Sequence, residues 1–222
     1  MTPSLLDVLV RPDVFFSRVV TEKETLKIPV LIVLTVGIVA AISGYLMGGL
    51  SAKMMAGIMT GMESVIPLFA MAGALIGTFV FWLIAAVIFY LISSLFKGQG
   101  SFKRVLEVVG YGYLPQIAGS IISLVAAIIY IPRITVPTLT KAALEDPAMI
   151  QQVTKAFLHD PAMMELTQIT TLVSIVFMLW SAHIWIFGIK YARGLSPRDA
   201  AICVGIPVVL YVLYLTYNLG VM

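Results

Sequence analysis

The chain has 222 residues, of which 60% are hydrophobic and only 11% charged, and its mean hydropathy is +1.04. A soluble domain carries about 25% charged residues, and a water-facing fold of this length cannot conceal such an apolar excess. These figures exclude a soluble enzyme and, equally, a disordered chain. The single cysteine, Cys203, excludes a disulfide framework and a cysteine-based zinc site. A net charge of +3 with no basic tract offers no surface for nucleic acid. The expected fold class is an all-α integral membrane protein.

The first element is an N-terminal segment, residues 1–27. Leu5, Leu6, Leu9, Val10, Val14, Phe15, Phe16 and Val19 lie among a few charges, and Pro12 interrupts the pattern. This amphipathic segment suits a helix at the cytoplasmic headgroup level. Its acids, Asp7, Asp13, Glu22 and Glu24, set it apart from a signal peptide.

Five stretches without charge follow: Ile28–Ala52, Ser64–Phe96, Val108–Pro132, Leu166–Ile189 and Ala200–Met222. About 20 apolar residues cross about 30 Å of hydrocarbon, so residues 28–222 are read as a five-helix membrane domain. The spans fall near 28–50, 67–96, 109–131, 167–189 and 200–219. Ser64–Phe96 is too short for two crossings and a turn, and reads as one long or tilted helix. The runs are continuously apolar rather than alternating, which excludes membrane strands. Pro115 and Pro207 lie inside two runs and are expected to kink or break those helices.

Two connecting pieces face the other side. The first, Ser51–Pro67, carries Met54, Met55, Met59 and Met62, which pack adaptably and lack the partners of a Cu(I) site. The second, residues 133–165, repeats Asp-Pro-Ala-Met at Asp146–Met149 and Asp160–Met163. Asp before Pro is a helix-start signal. It predicts a short helix from Pro147 and another from Pro161 that continues into the fourth span. The two pieces are expected to pack together or lie on the external bilayer surface, with Met149, Val153 and Phe157 facing inward.

Orientation follows from Lys and Arg. Arg11, Arg18, Lys23, Lys27, Lys97, Lys103, Arg104, Lys190, Arg193 and Arg198 share one side, against Lys53, Arg133, Lys141 and Lys155 on the other. The N-terminus is therefore expected in the cytoplasm and the C-terminus outside.

The spans contain no Asp, Glu, Lys or Arg, and no catalytic motif or cofactor-binding pattern is present. The expectation is a protein that is not an enzyme and needs no cofactor or metal. His183 is an intramembrane polar side chain without an acidic or second His partner, and reads as an interhelical hydrogen-bonding group. Glycine pairs one helical turn apart, Gly44/Gly48, Gly57/Gly61 and Gly73/Gly77, are candidate helix-packing positions, within one bundle or between two copies.

Gly110-Tyr111-Gly112-Tyr113-Leu114-Pro115, followed by an apolar helix, resembles the third membrane helix of the Yip family of Ypt/Rab-interacting membrane proteins. Trp180, Gly188 and Arg193-Gly194-Leu195-Ser196 are similar to that family as well. Its eukaryotic members have a long acidic N-terminal region with a Tyr-Gly-Pro motif, where this chain has Arg11–Phe16, so the chain looks like the compact prokaryotic form. The resemblance implies a five-span fold and a membrane role, but not the Rab-linked activity.

The first functional reading is a non-enzymatic Yip-like protein that scaffolds partners or organises the membrane. Its expected partners are membrane lipids, other membrane proteins or a second copy. The alternative is a small-solute or ion transporter or channel with a cavity among the helices, lined by Pro115, Pro207 and His183. The candidate lipid- or partner-binding surface is cytoplasmic: Lys103, Arg104, Tyr111, Gly112, Tyr113, Pro115, Arg193, Gly194 and Arg198.

Overall fold

A computed structural model describes residues 4–221. Ser4 starts the first helix with a capping box: its hydroxyl accepts from the Leu6 N–H at 3.2 Å, and the Asp7 carboxylate accepts from the Ser4 N–H at 3.1 Å. Helix α1 (Leu5–Val10) ends where Pro12 opens α2 (Pro12–Val19), proline fitting the first turn of a helix because its missing N–H is not needed there. The amphipathic segment is thus two short helices. They do not only lie on a surface: Val8, Phe15, Phe16 and Val19 are buried in the main core.

Five helices are long and apolar enough to cross a membrane. Helix α3 (Lys27–Met55) and helix α4 (Val65–Leu95) form a closely packed pair. A Cβ on Gly44 would lie 2.8 Å from the Ala70 carbonyl oxygen, and one on Gly48 would lie 2.7 Å from the Pro67 Cα. The absence of side chains there sets the α3–α4 distance. Helix α4 is one unbroken helix of 31 residues, as the length of its apolar run predicts.

The third span begins later than its apolar run suggests. Helix α5 (Phe102–Tyr111) is a separate amphipathic helix, and α6 (Leu114–Tyr130) follows after a break at Gly112 and Tyr113. Pro115 causes the break. It has no N–H to give to the Tyr111 carbonyl, so the helical ladder cannot continue through it. Pro207 behaves otherwise, because α9 (Pro197–Val221) runs through it as a helix.

Both Asp-Pro signals start helices. Asp146 accepts from the Ala148 N–H at 2.9 Å and opens α7 (Pro147–Leu158). Asp160 accepts from Ala162 and Met163 at 3.0 and 3.1 Å and opens α8 (Pro161–Arg193), which continues as the fourth span. A second Asp160 oxygen accepts from the Thr135 N–H at 3.1 Å, tying this start to the preceding loop. At the same end the Leu139 N–H donates to the Met54 carbonyl at 2.8 Å, which joins the two connecting pieces. Phe157 packs against a small core of Leu50, Ala126, Ala127, Ile134, Met163 and Leu166. Val153 is half-buried and Met149 exposed, so α7 is only partly covered.

One glycine pair departs from expectation, and another has no neighbour inside the chain. Gly57 and Gly61 lie beyond the end of α3 in turns, Gly57 against the Leu139 carbonyl and Gly61 at φ +85°, so they are not one helical turn apart on a helix. Gly73 and Gly77 are on α4, but a Cβ at either would meet nothing within 4 Å. They make no close contact within the chain.

Candidate functional site

The break between α5 and α6 sits in the main core at the end of the bundle that carries α1 and α2. Two tryptophans fix α5 there. The Trp82 indole on α4 donates to the Leu106 carbonyl at 3.0 Å, and the Trp185 indole on α8 donates to the Val109 carbonyl at 2.8 Å. Helix ends leave carbonyls without partners, and Trp185 satisfies one of them from another helix. Gly110 fits because a Cβ would meet Pro29 and Trp82, and Gly112 because a Cβ would fall on the Trp185 ring. Tyr111 packs edge-on against Phe15 at 5.0 Å, and Tyr113 lies 5.8 Å from Trp185. The Gly110–Pro115 motif therefore locks α2, α5 and α8 to one another.

Two arginines clasp the loops of this end. Arg104 is 7% exposed, donates to the Glu107 carboxylate at 2.6 Å and to the Val19 carbonyl at 3.1 Å, and also reaches the Glu22 carbonyl. Glu107 accepts in turn from the Thr25 N–H at 3.3 Å, closing the link from α2 to α3 over α5. Arg193, 3% exposed, donates to the hydroxyls of Ser93 (2.8 Å) and Ser94 (3.1 Å) and to the carbonyls of Gly98 (2.8 Å) and Gly100. The Gln99 N–H returns a bond to the Arg193 carbonyl at 2.8 Å. Gly194 takes the left-handed conformation, φ +63°, that ends α8. The fixed fork of the guanidinium lets one side chain satisfy two hydroxyls and two carbonyls at once.

Charge states reflect these surroundings. Burial pushes the Glu107 carboxyl above its ordinary value, against the opposing pull of Arg104. Burial also pushes Tyr111 up to about 12, so it is a neutral core ring. Asp13 is held low by hydrogen bonds from Lys190 (2.7 Å) and Tyr191 (2.9 Å), which pin α2 to α8.

Two cavities lie deeper. One of about 430 Å³ is bordered by Ser43, Ser120, Ser123, Ser174 and Gln116. The other, about 450 Å³, lies between α4, α6, α8 and α9 and is mostly apolar, with Tyr113, Trp185 and Tyr211 at its edge. Val36 and Gln116 border both, and neither has a charged lining residue among the described residues.

The structure redistributes the residues singled out from sequence. Arg104 and Arg193, expected to meet headgroups, are enclosed and hydrogen-bonded within the protein. Tyr111, Gly112 and Pro115 are buried, and Tyr113 is half-buried against Trp185. Lys103 and Arg198 remain exposed, as does Lys97. His183 borders neither of these two cavities; it sits exposed on the outer face of α8, edge-on to Phe187 at 5.1 Å. Pro207 borders the apolar cavity but Pro115 borders neither. Sequence reasoning missed Gln116 and the serines around it, whose signal was polarity inside apolar runs. It also missed Trp82 and Trp185, which carry no local signal of their carbonyl partners.

Among the described residues no three His, Cys, Asp or Glu side chains cluster to hold a metal. The Yip1 domain family matches residues 6–218. An uncharacterized protein of Methanocaldococcus jannaschii is 38% identical over 121 residues, which covers 54% of this chain and 86% of the relative. No solved structure matches. A five-span helical bundle matched along nearly its whole length by that one family leaves a single assignment: this chain is a multi-pass membrane protein of the Yip1 domain family.

Proposed function

We propose that the protein is a non-enzymatic membrane organiser whose docking surface is the end of the bundle that carries α1 and α2, oriented to the cytoplasm. The observation that carries this reading is the arginine clasp. Arg193 ties the 96–101 loop to the end of α8, so Lys97, Lys103 and Arg198 are held at one end of the molecule while remaining exposed. Arg11 and Arg18 are exposed on the same end, beside an apolar edge formed by Leu6 (69% exposed) and Val10 (75%). Cations beside exposed apolar groups suit the headgroup boundary of an anionic leaflet. The cytoplasmic orientation draws on the uneven Lys and Arg distribution.

The test uses the full chain in zwitterionic nanodiscs, capturing vesicles that contain phosphatidylglycerol. Replacing Lys97, Lys103 and Arg198 with Ala should reduce capture severalfold at low salt, and added salt should remove the difference. The same charge loss at Lys53, Lys141 and Lys155 should have little effect. Equal losses from the two triple variants would sink the surface assignment.

The serine-lined cavity supports a second reading, passage of a small solute. Its uncharged lining favours a neutral solute over an ion. Proteoliposome uptake of labelled glycerol above that of empty vesicles would support it.

A further inference from the structure

We propose that the two cavities together form a binding site for an uncharged, hydroxyl-bearing membrane lipid, which enters sideways from the bilayer between α4 and α9. The mouth of the apolar cavity is formed by residues that face outward within the spans: Phe81 is 67% exposed, and Ile84 and Tyr211 are exposed as well. Trp185 lies eight residues before the end of α8 and Pro207 ten residues after the start of α9. At 1.5 Å per residue these positions are about 12–15 Å below the clasped end. The opening therefore faces hydrocarbon rather than headgroups, where a molecule dissolved in the membrane reaches it sideways.

The lining selects the chemistry of the occupant. Neither cavity presents a charge, and a charged headgroup at this depth would be left without a partner. Polar groups are nevertheless present: Gln116 borders both cavities, and serines line the first. The Gln116 amide N–H donates to the Ser181 hydroxyl at 3.1 Å, which leaves its carbonyl oxygen to accept. Ser120 and Ser174 donate to carbonyls of their own helices, Ile117 at 3.0 Å and Thr170 at 2.7 Å. Their donors are thereby used and their oxygen lone pairs remain. Ser43 and Ser123, on the same lining, keep hydroxyls that can donate or accept, so the site matches an uncharged ligand whose hydroxyl does both, such as a lipid alcohol or a diacylglycerol. Its hydroxyl would reach Gln116 while its chain lies along Phe81, Ile84 and Val208.

The full chain in nanodiscs of zwitterionic lipid is irradiated with a diazirine-bearing diacylglycerol, and the labelled peptides are mapped. Phosphatidylcholine with the same diazirine chain, and the diacylglycerol probe with its hydroxyl acetylated, serve as comparisons. The diacylglycerol should label residues 78–89 and 207–211 severalfold more than either comparison, and excess unlabelled diacylglycerol should suppress that labelling. Gln116→Leu should reduce it to the level of the acetylated probe, and Ala85→Trp should block it. If Ala85→Trp does not fold, the competition in the unaltered chain still decides. Equal labelling by all three probes would mean ordinary contact with bulk lipid and would overturn the proposal. Suppression by excess glycerol would overturn it in favour of a small polar solute.

Discussion

Gly112 and Trp185 meet so closely that a Cβ at position 112 would coincide with the indole ring, while the same indole donates to the Val109 carbonyl at 2.8 Å. One ring thus fixes both the spacing and the hydrogen bonding of the α5–α6 break. The backbone of Gly112 is ordinary helical, φ −67°, so the constraint is space alone. Gly112→Ala should cost about 1–3 kcal/mol by overpacking. Trp185→Phe removes the bond to Val109 and should cost about 1–3 kcal/mol for a buried carbonyl left without its partner. Thermal unfolding in detergent should show the double variant less damaged than the sum, because the smaller ring makes room for the methyl group. Additive losses would show that the two residues do not share this contact.

Arg193 is a brace, and its removal should be read in stability. Arg193→Ala leaves two serine hydroxyls and two glycine carbonyls without their common donor. Bonds to a charged group contribute about 1.5–3 kcal/mol each and do not add fully, so a loss of at least about 2 kcal/mol is expected. Arg193→Lys should recover only part of it, since an ammonium lacks the planar fork. Arg198→Ala, at an exposed position, should leave the unfolding midpoint within measurement error. Similar midpoints for the Arg193 and Arg198 variants would contradict the clasp.

The bundle was legible in the sequence because its cause is global. Lipid demands about 20 apolar residues per crossing, and the charge-free gaps record that demand directly. The Asp146-Pro147 and Asp160-Pro161 starts were legible too, since a cap acts within three residues. What the sequence concealed was long-range pairing. Arg104 and Arg193 carry the same letter as the exposed Arg198, and only the fold shows that they lie under loops. Charge counting along a chain treats every arginine as facing water, which holds for loops and fails where one loop covers another. The glycine pairs show the same limit: spacing marks Gly44/Gly48 and Gly73/Gly77 equally, yet only the first pair faces a neighbouring helix.

That difference gives a direct comparison. Gly44→Leu with Gly48→Leu should push α3 from α4 and abolish or severely weaken folding, since backbone atoms of Ala70 and Pro67 stand within 3 Å of the new Cβ positions. Gly73→Leu with Gly77→Leu should leave the monomer folded, as nothing lies within 4 Å. The second pair is therefore the informative one for association. If two copies meet along this face of α4, cross-linking in nanodiscs should show the dimer lost in the Gly73/Gly77 variant and the fold kept. An unfolded Gly73/Gly77 variant would place an unseen contact there.

Glu107 gives the fold a pH dependence of definite sign. Its carboxyl is raised above the ordinary glutamate value of 4.5 because burial outweighs the pull of Arg104. A carboxyl raised in the folded state favours folding fully below its unfolded pKa, and that contribution is lost as pH rises through the folded value. Glu107→Gln keeps an acceptor for Arg104 and Thr25 but cannot ionise. The midpoint difference between wild type and this variant should therefore shift in favour of wild type as pH falls from 7 towards 4.5. Wild type gaining relative stability as pH rises would reverse the assigned direction.

Lys97 separates folding from docking at a single residue. It is the only non-glycine residue with positive φ among the described residues, at 58°, and it follows the last turn of α4. There the Gly98 N–H bonds back to the Ser93 carbonyl at 3.0 Å and the Lys97 N–H to the Ser94 carbonyl at 3.1 Å. Glycine suits this left-handed position, and a side chain there costs about 1 kcal/mol. Lys97 is nevertheless exposed, in the loop whose Gly98 carbonyl Arg193 holds. The left-handed turn belongs to the helix end, while the side-chain charge belongs to the proposed docking surface, so the two can be separated by substitution. Lys97→Gly should raise the thermal midpoint while weakening capture of phosphatidylglycerol vesicles. Lys97→Ala should weaken capture equally without the gain in stability, because it removes the charge and keeps the Cβ. If Lys97→Gly raises stability and leaves capture intact, Lys97 belongs only to the end of α4, and the docking surface must be carried by Lys103 and Arg198.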